Sequence, residues 1–389
     1  MNPQLLLLTA CQGLFLTNNV CFIAINGLVG LALAPQAWMA TLPVCGYVAG
    51  GALFAPLVAR HQRQWGRRRA FQFGLLTAMG ACALAAWAVS QRQFGLLVLA
   101  TVLAGYYNAN AGLYRFAAVE LVPAEMKEKA ISWVLAGGIL GAVAGPNLAS
   151  ASKQWLAEPF AGAYLALIGV ALASLALVSL IRFPALPQAA PGAPAGRSVR
   201  ELARQPTFVV AIMAAALGYG VMNLLMAATP IAMAQCAHPF DSAALVLEWH
   251  VLGMFVPSFF TGSLIKRFGA LPVMGVGVLL NLACVLIAMS GVDLMHFIAA
   301  LLVLGVGWNF LFIGGTTLFT QTYRPEERTS AQAAMDFCIY ATMTVTSFSS
   351  GALVTTGGWT WMNVGSLLPL AATGLALLWL ASRRRTEPA

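Results

Sequence analysis

The sequence predicts an all-α integral membrane protein of about twelve transmembrane helices, arranged as two pseudo-symmetric six-helix bundles. Three observations carry that expectation. Of 389 residues, 60% are hydrophobic and only 8% are charged, whereas a soluble domain carries about 25% charged residues. Apolar runs of near bilayer length recur without strand-like alternation, and in lipid, where no water satisfies the backbone, such runs must be helices. Landmarks of the first half also return in the second at a nearly constant offset.

Taken in order, the spans are set by polar breaks. Span one, 4–33, includes Cys11; Leu-Thr-Ala-Cys at 8–11 looks like a lipoprotein cleavage box, but Met-Asn-Pro-Gln supplies no positive leader, so Cys11 belongs to the helix. Span two, 36–60, runs into Arg60, Arg63, Arg67, Arg68 and Arg69. Span three, 70–90, stops before Arg92; span four, 93–118, holds Arg115 and stops before Lys127 and Lys129. Spans five and six, 129–150 and 160–182, are separated by Lys153 and followed by Arg182. Residues 184–206, beginning Pro-Ala-Leu-Pro, form the long polar connection expected of a domain linker between bundles 1–183 and 207–389. Span seven, 207–236, contains Pro230; span eight, 243–265, is capped by Asp241-Ser242 and ends at Lys266-Arg267. Spans nine to twelve follow at 270–290, 296–320, 332–355 and 360–382.

The formal charge of +9 follows from position rather than from a polyanionic partner. With the N-terminus inside, eighteen of the 21 Lys and Arg residues fall on the cytoplasmic side; Arg92 and Lys153 lie outside, and Arg115 lies within a span. The positive-inside rule places both termini in the cytoplasm. No nucleic-acid partner is needed to explain the basic pI, and the chain is expected to be monomeric. The seven cysteines are scattered one to a segment, with no spacing that suggests a disulfide framework or zinc site.

The internal repeat is explicit. Arg63-Gln-Trp-Gly66 after the second span mirrors Lys266-Arg-Phe-Gly269 after the eighth, an offset of 203, and Pro123-Ala-Glu125 returns as Pro325-Glu-Glu327. Duplicated six-helix halves with a substrate site between them are a transporter architecture. Gly262-Ser-Leu-Ile-Lys266-Arg267-Phe-Gly269 resembles the signature loop of the major facilitator superfamily, and the resemblance covers essentially the whole chain. It implies the major facilitator fold. Lys266 replaces the family's usual acid, and Ala59 to Gly66 also lacks it, which removes the acid of the usual gating salt bridge.

Within the spans, His250 and Met254 stand at i, i+4, and so do Met222 and Met226, so each pair shares one helix face. Counting inward at 1.5 Å per residue places His250 about 10 Å, Met226 about 15 Å, Met254 about 16 Å and Met222 about 21 Å from the outer ends. Thioethers and neutral imidazole suit a soft cation, above all Cu(I), whereas Mg²⁺ or Ca²⁺ needs oxygen ligands. Pro230 cannot donate to the Met226 carbonyl, which predicts a kink beside that ligand. Met233, Cys236 and His238 continue a string of soft donors outward, a candidate entry path. The alternative is that the methionines are packing residues. At the 203 offset the four residues correspond to Asn19, Ile23, Tyr47 and Gly51, so the repeat does not demand them. The four residues and their spacing also resemble the CcoA-like branch of the superfamily, bacterial copper importers; that resemblance implies copper as the transported substrate, with no resident cofactor. A neighbouring branch that takes up riboflavin shares much of the same frame.

Glu248, Asp336 and Arg115 are candidates for coupling, because ionisable groups inside a membrane are functional by default; helix-end and snorkelling roles are the alternatives. Gly141-Ala-Val-Ala-Gly145-Pro146 is similar to the glycine-proline motif of superfamily antiporters, which would favour efflux, and equally suits close helix packing. Asn18, Asn19, Asn26, Tyr106, Tyr107, Asn108 and Asn110 offer hydrogen bonds to an organic substrate or to neighbouring helices. A nucleotide-binding loop of the Gly-x-x-x-x-Gly-Lys-Ser/Thr type is missing, and no span holds a catalytic arrangement, so the expectation is a secondary transporter rather than an ATP-driven pump or an enzyme.

Overall fold

The computed structural model describes residues 2–123, 126–184 and 196–386. Ala124 and Glu125 of the first repeated motif, and linker residues 185–195, lie outside the described residues. Among the described residues all regular structure is helical, and eleven stretches are long and apolar enough to cross a bilayer. One of them, Ala37–Ser90, holds both the second and the third expected spans. The protein is thus an all-α integral membrane protein.

In chain order the helices are α1 (Pro3–Leu33), α2 (Leu42–Ser90), α3 (Phe94–Ala111), α4 (Tyr114–Ala118), α5 (Lys127–Ser152), α6 (Ala161–Leu180), α7 (Val199–Leu202), α8 (Pro206–Gln235), α9 (Phe240–Phe255), α10 (Ser258–Phe268), α11 (Ala270–Ser290), α12 (Leu294–Thr320), α13 (Arg328–Thr356) and α14 (Gly358–Thr386). Two departures from the expected spans have local causes. Spans two and three are joined in α2, which changes direction at Gly66 with φ 75° and ψ 167°. Gly269, its counterpart between α10 and α11, has φ 90° and ψ 160°. Only glycine occupies that region readily, so the duplicated motif is a duplicated backbone turn. Span eight, expected to be continuous, is broken into α9 and α10 at Pro257, which lacks the N–H that would carry the helix on. By contrast, α8 runs unbroken through Pro230.

The chain forms two compact units. The first comprises Met1–Pro187 with Ala227–Glu248 and Ser350–Thr356. Here α1 packs on α5 through glycines: a Cβ on Gly141 would lie 2.5 Å from the Leu16 Cβ, and one on Gly145 would lie 3.0 Å from the Thr17 carbonyl. Close packing through small residues is therefore what the Gly141–Pro146 segment does in this fold. Below Gly66, Arg67 forms an ion pair with Glu120 at 2.6 Å and also bonds to Gln62, whose amide reaches Asn110 at 2.7 Å. The carboxylate that meets Arg67 comes from Glu120, two residues beyond α4.

This unit also includes a layer made where the end of α8 from Ala227, the start of α9 and the end of α13 from Ser350 meet α1, α2 and α5. The Gly351 N–H donates to Thr41 Oγ1 at 2.9 Å, and a Cβ on Gly27 would touch the Ala227 carbonyl and Ile231. Lys153 pairs with Asp241 at 2.6 Å, Ser150 bonds to the same carboxylate, and Asn147 donates to Glu248 at 3.1 Å.

The second unit comprises Gln188–Met226, Trp249–Ser349 and Gly357–Ala389. Its core gathers Phe208, Met274, Leu311, Phe319 and Ile339, and the linker residue Leu202 is buried in it. The end of the linker is held by charge as well. Glu327 is buried, and it accepts from Arg197 Nε at 2.7 Å, Arg197 Nη2 at 2.8 Å, the Arg197 N–H at 2.9 Å and the Arg324 N–H at 2.9 Å. The Arg197 side chain bonding to it, joined by the backbone N–H groups, pulls the Glu327 carboxyl down to about 2. A Ser198–Glu201 capping box closes α7 beside this clamp.

Candidate functional site

The site is built on α12, against which α8 and α9 both pack. Helix α9 approaches it at facing glycines: a Cβ on Gly305 would lie 2.9 Å from the Gly253 carbonyl carbon and run into the His250 carbonyl. That closeness lets the His250 ring reach across, and Nδ1 lies 2.7 Å from the Leu301 carbonyl oxygen. A carbonyl only accepts, so Nδ1 carries the proton and Nε2 presents a bare lone pair. His250 is fully buried, and among the described residues its Nε2 has no hydrogen-bond partner. An unpaired buried acceptor is costly unless something donates to it.

One turn on, the Met254 carbonyl accepts from Asn309 Nδ2 at 2.7 Å. The same amide donates to Ser258 Oγ at 2.7 Å, and Asn309 Oδ1 accepts from Thr261 at 2.6 Å. Asn309 therefore bridges the break that Pro257 opens. Met222 and Met226 are buried on α8, flanking Asn223, whose amide bonds to Thr346 and Ser347 of α13. Among the described residues no group of three or more His, Cys, Asp and Glu side chains is placed to hold a metal ion. A soft cation here would rest on the single imidazole and on thioethers.

The proposed entry residues form the end of α8. Ala237 is left-handed (φ 62°), and the His238 N–H returns to the Met233 carbonyl at 2.9 Å, a C-terminal cap with Met233 buried and Cys236 half-buried. Glu248 lies in the layer that joins α9 to α5, on a cleft of about 250 Å³ lined by Asn147, Ser150, Asp241, Ala244 and Leu245. Arg115 sits 4.8 Å over the Phe116 ring, with its Nε buried and unpartnered. Asp336 is exposed on α13, two turns in from Arg328.

Most of the expected organic-substrate set in the first half is already engaged. Asn19 bonds to Tyr47 at 3.3 Å, Asn26 to Tyr164 at 2.5 Å, Tyr106 to His61 at 2.7 Å, and Asn110 to Gln62 and to the Ala70 carbonyl. Tyr107 packs edge-on to Phe15, with centroids 5.6 Å apart.

Sequence reasoning missed an aromatic group in the second unit. Trp308 and Phe312 of α12 stack at 5.1 Å with planes 8° apart. Tyr219 of α8 stands edge-on to both, at 5.1 Å and 5.6 Å, and Phe255 of α9 lies 6.4 Å from Trp308. Trp308 is 5% exposed, and among the described residues its indole N–H has no partner. The other three rings are half-buried. The i, i+4 spacing of Trp308 and Phe312 was the only local signal.

The comparisons agree with the fold. The family model described as Major Facilitator Superfamily matches residues 5–247 and again 210–389. The chain is 38% identical to riboflavin transporter RfnT of Brucella anthropi over 363 residues, which is 92% of this chain and 91% of that protein. Its fold is similar to that of a D-xylose–proton symporter, with a TM-score of 0.76 at 15% identity over 97% of each chain. It is also similar to a variant of the nucleoside transporter NupG, with a TM-score of 0.74 at 15% identity over 97% of this chain and 99% of that one. A duplicated helical membrane fold, a family match across nearly the whole length and transporter neighbours together place this chain in the Major Facilitator Superfamily, as a secondary transporter and not an enzyme.

Proposed function

We propose that this transporter carries riboflavin, or a closely similar flavin, across a bacterial inner membrane into the cytoplasm. The observation that carries the reading is the 38% identity to a riboflavin transporter over nine-tenths of both chains. It reverses the order in which the residue pattern ranks copper and riboflavin. The site chemistry supports it: a flavin is a large planar ring with a hydroxylated chain, which calls for stacking surfaces and a few convergent polar groups. Tyr219, Trp308 and Phe312 supply rings, and Trp308 Nε1 and His250 Nε2 supply an unused donor and an unused acceptor. In this reading the two six-helix halves, 1–183 and 207–389, rock in alternating access, and the layer that joins α8, α9 and α13 to α1, α2 and α5 faces outward and parts to admit the substrate. The test is accumulation of labelled riboflavin by cells that lack their own flavin uptake. Expression of this chain should raise it many-fold over the empty vector, and no rise would overturn the proposal.

One observation keeps copper as a second reading: the bare Nε2 of His250 shares its helix face with Met254, both buried. Copper accumulation that rises with expression and falls in Met222→Ala with His250→Ala would support it.

A further inference from the structure

We infer that the turn at Gly66 of α2 carries a binding site for a phospholipid with an anionic headgroup. Before the turn, Leu57, Arg60, His61, Gln64 and Trp65 recur at i, i+3, i+4, i+7 and i+8 and so form one stripe of the helix. After it, Arg69, Phe73 and Leu76 stand at i, i+4 and i+7 on another. Rings bring the two stripes side by side. His61 stacks on Trp65 with centroids 3.9 Å and planes 16° apart, and both rings meet Phe73 edge-on, at 5.7 Å and 5.4 Å. His61 Nδ1 lies 2.7 Å from the Tyr106 hydroxyl, which ties this ledge to α3. Trp65 is 41% exposed and Phe73 is 43% exposed, so the ledge is open.

Both limbs pass from apolar to cationic as they approach the turn. The exposed residues are Leu53, Pro56 and Leu57, then Arg60 and Arg63, on one limb, and Leu76 and Phe73, then Arg69 and Arg68, on the other. Such a boundary, with tryptophan beside it, marks the surface of the hydrocarbon layer. Arg67 is engaged by Glu120, whereas Arg60, Arg63, Arg68 and Arg69 have no carboxylate partner among the described residues. A phosphate set among these guanidiniums meets both their charge and their planar donors. A free anion would leave the rings and leucines bare, but acyl chains cover them. The duplicated scaffold does not demand this surface. At the 203 offset, Arg60, His61, Arg68, Arg69 and Phe73 correspond to Ser263, Leu264, Leu271, Pro272 and Val276. The second turn keeps only Lys266 and Arg267, so placing a turn at the membrane surface takes fewer cations than the first turn has.

The test titrates the purified full-length carrier in detergent with dioleoylphosphatidylglycerol or dioleoylphosphatidylcholine and counts bound lipid by native mass spectrometry. The wild type should hold phosphatidylglycerol about tenfold more tightly than phosphatidylcholine. Arg63→Gln, Arg68→Gln and Arg69→Gln together should remove that preference, while Lys266→Gln with Arg267→Gln should keep phosphatidylglycerol affinity within about twofold of wild type. Equal affinity of the wild type for the two lipids would overturn the site. An equal loss in both sets of variants would overturn it as well, because the attraction would then belong to basic charge in general. Soluble glycerol 1-phosphate should not displace the lipid at equal concentration; displacement would show a headgroup anion site and overturn the role of the rings and leucines. Where the triple variant is poorly folded, Arg69→Gln alone provides a second probe. It should weaken phosphatidylglycerol several-fold and leave phosphatidylcholine unchanged, and wild-type affinity for both counts against the site.

Discussion

His250 donates its Nδ1 proton to the Leu301 carbonyl at 2.7 Å, and this one bond fixes which nitrogen keeps its lone pair. The ring is oriented by α12 and offers Nε2 as an acceptor with no partner of its own. His250→Phe removes both roles while keeping an aromatic volume. Riboflavin transport should fall about tenfold or more, the loss of one buried hydrogen bond, measured as initial uptake at equal expression.

Gly305 makes that geometry reachable. A side chain there meets the backbone of α9 at His250 and Gly253, so Gly305→Ala must push the two helices apart. Overpacking of this kind costs about 1–3 kcal/mol. The melting temperature of the detergent-solubilised carrier should fall, and substrate affinity should fall with it. Gly275→Ala, which meets nothing within 4 Å, should leave both unchanged.

The methionines separate the two substrate readings. Met222 and Met226 are buried, and leucine replaces methionine at nearly constant volume. The double variant Met222→Leu, Met226→Leu should keep riboflavin uptake within about twofold of wild type. If it instead loses copper accumulation that the wild type shows, the thioethers serve as ligands and the flavin account loses its priority.

The layer that joins α8, α9 and α13 to α1, α2 and α5 should have to part in the transport cycle. Ser150 of α5 and Lys153 just after it hold Asp241 of α9 in one compact unit. Paired cysteines, Ser150→Cys with Asp241→Cys in a Cys236→Ser background, should cross-link under mild oxidation. Uptake should stop on oxidation and return on reduction. Full uptake by the cross-linked carrier would show that these helix ends do not part.

The linker clamp has a defined pH range. Glu327 is held at about 2 against an ordinary 4.5 by Arg197 and backbone N–H groups, so its folded-state value is depressed. Its contribution is fully present above about 4.5 and is lost as pH falls toward about 2. Trypsin cleavage after Arg197, Arg200 and Arg204 should therefore be slow at neutral pH and several-fold faster in Glu327→Gln. Equal rates would mean the segment is not held by this pair.

Much of the architecture was legible because hydropathy and cation placement are local properties of the chain. The spans, the Gly66–Gly269 repeat and the all-α class follow from runs and offsets alone. The helix break at Pro257 was visible as a proline, but whether it ends the helix depends on Asn309, 52 residues later, capturing the loose ends. Arg67–Glu120 and Arg197–Glu327 join residues far apart in sequence, and no local pattern names such partners. The candidate site was half legible. His250 stands out in the sequence by its spacing to Met254, yet its bond to Leu301 lies across a helix interface. The aromatic group draws Tyr219, Phe255, Trp308 and Phe312 from three helices, and their rings meet only once α8, α9 and α12 pack. The asparagines and tyrosines of the first half read equally well as substrate groups or helix partners, and the structure engages several of them as partners.

The most direct test of the central claim is uptake of labelled riboflavin into proteoliposomes that contain only this chain, run beside Cu(I) uptake in the same vesicles. The account predicts saturable riboflavin entry that Trp308→Phe and His250→Phe each reduce about tenfold, with copper entry no greater than in empty vesicles. Riboflavin entry equal to that of empty vesicles, together with copper entry that depends on His250 and Met254, would contradict it.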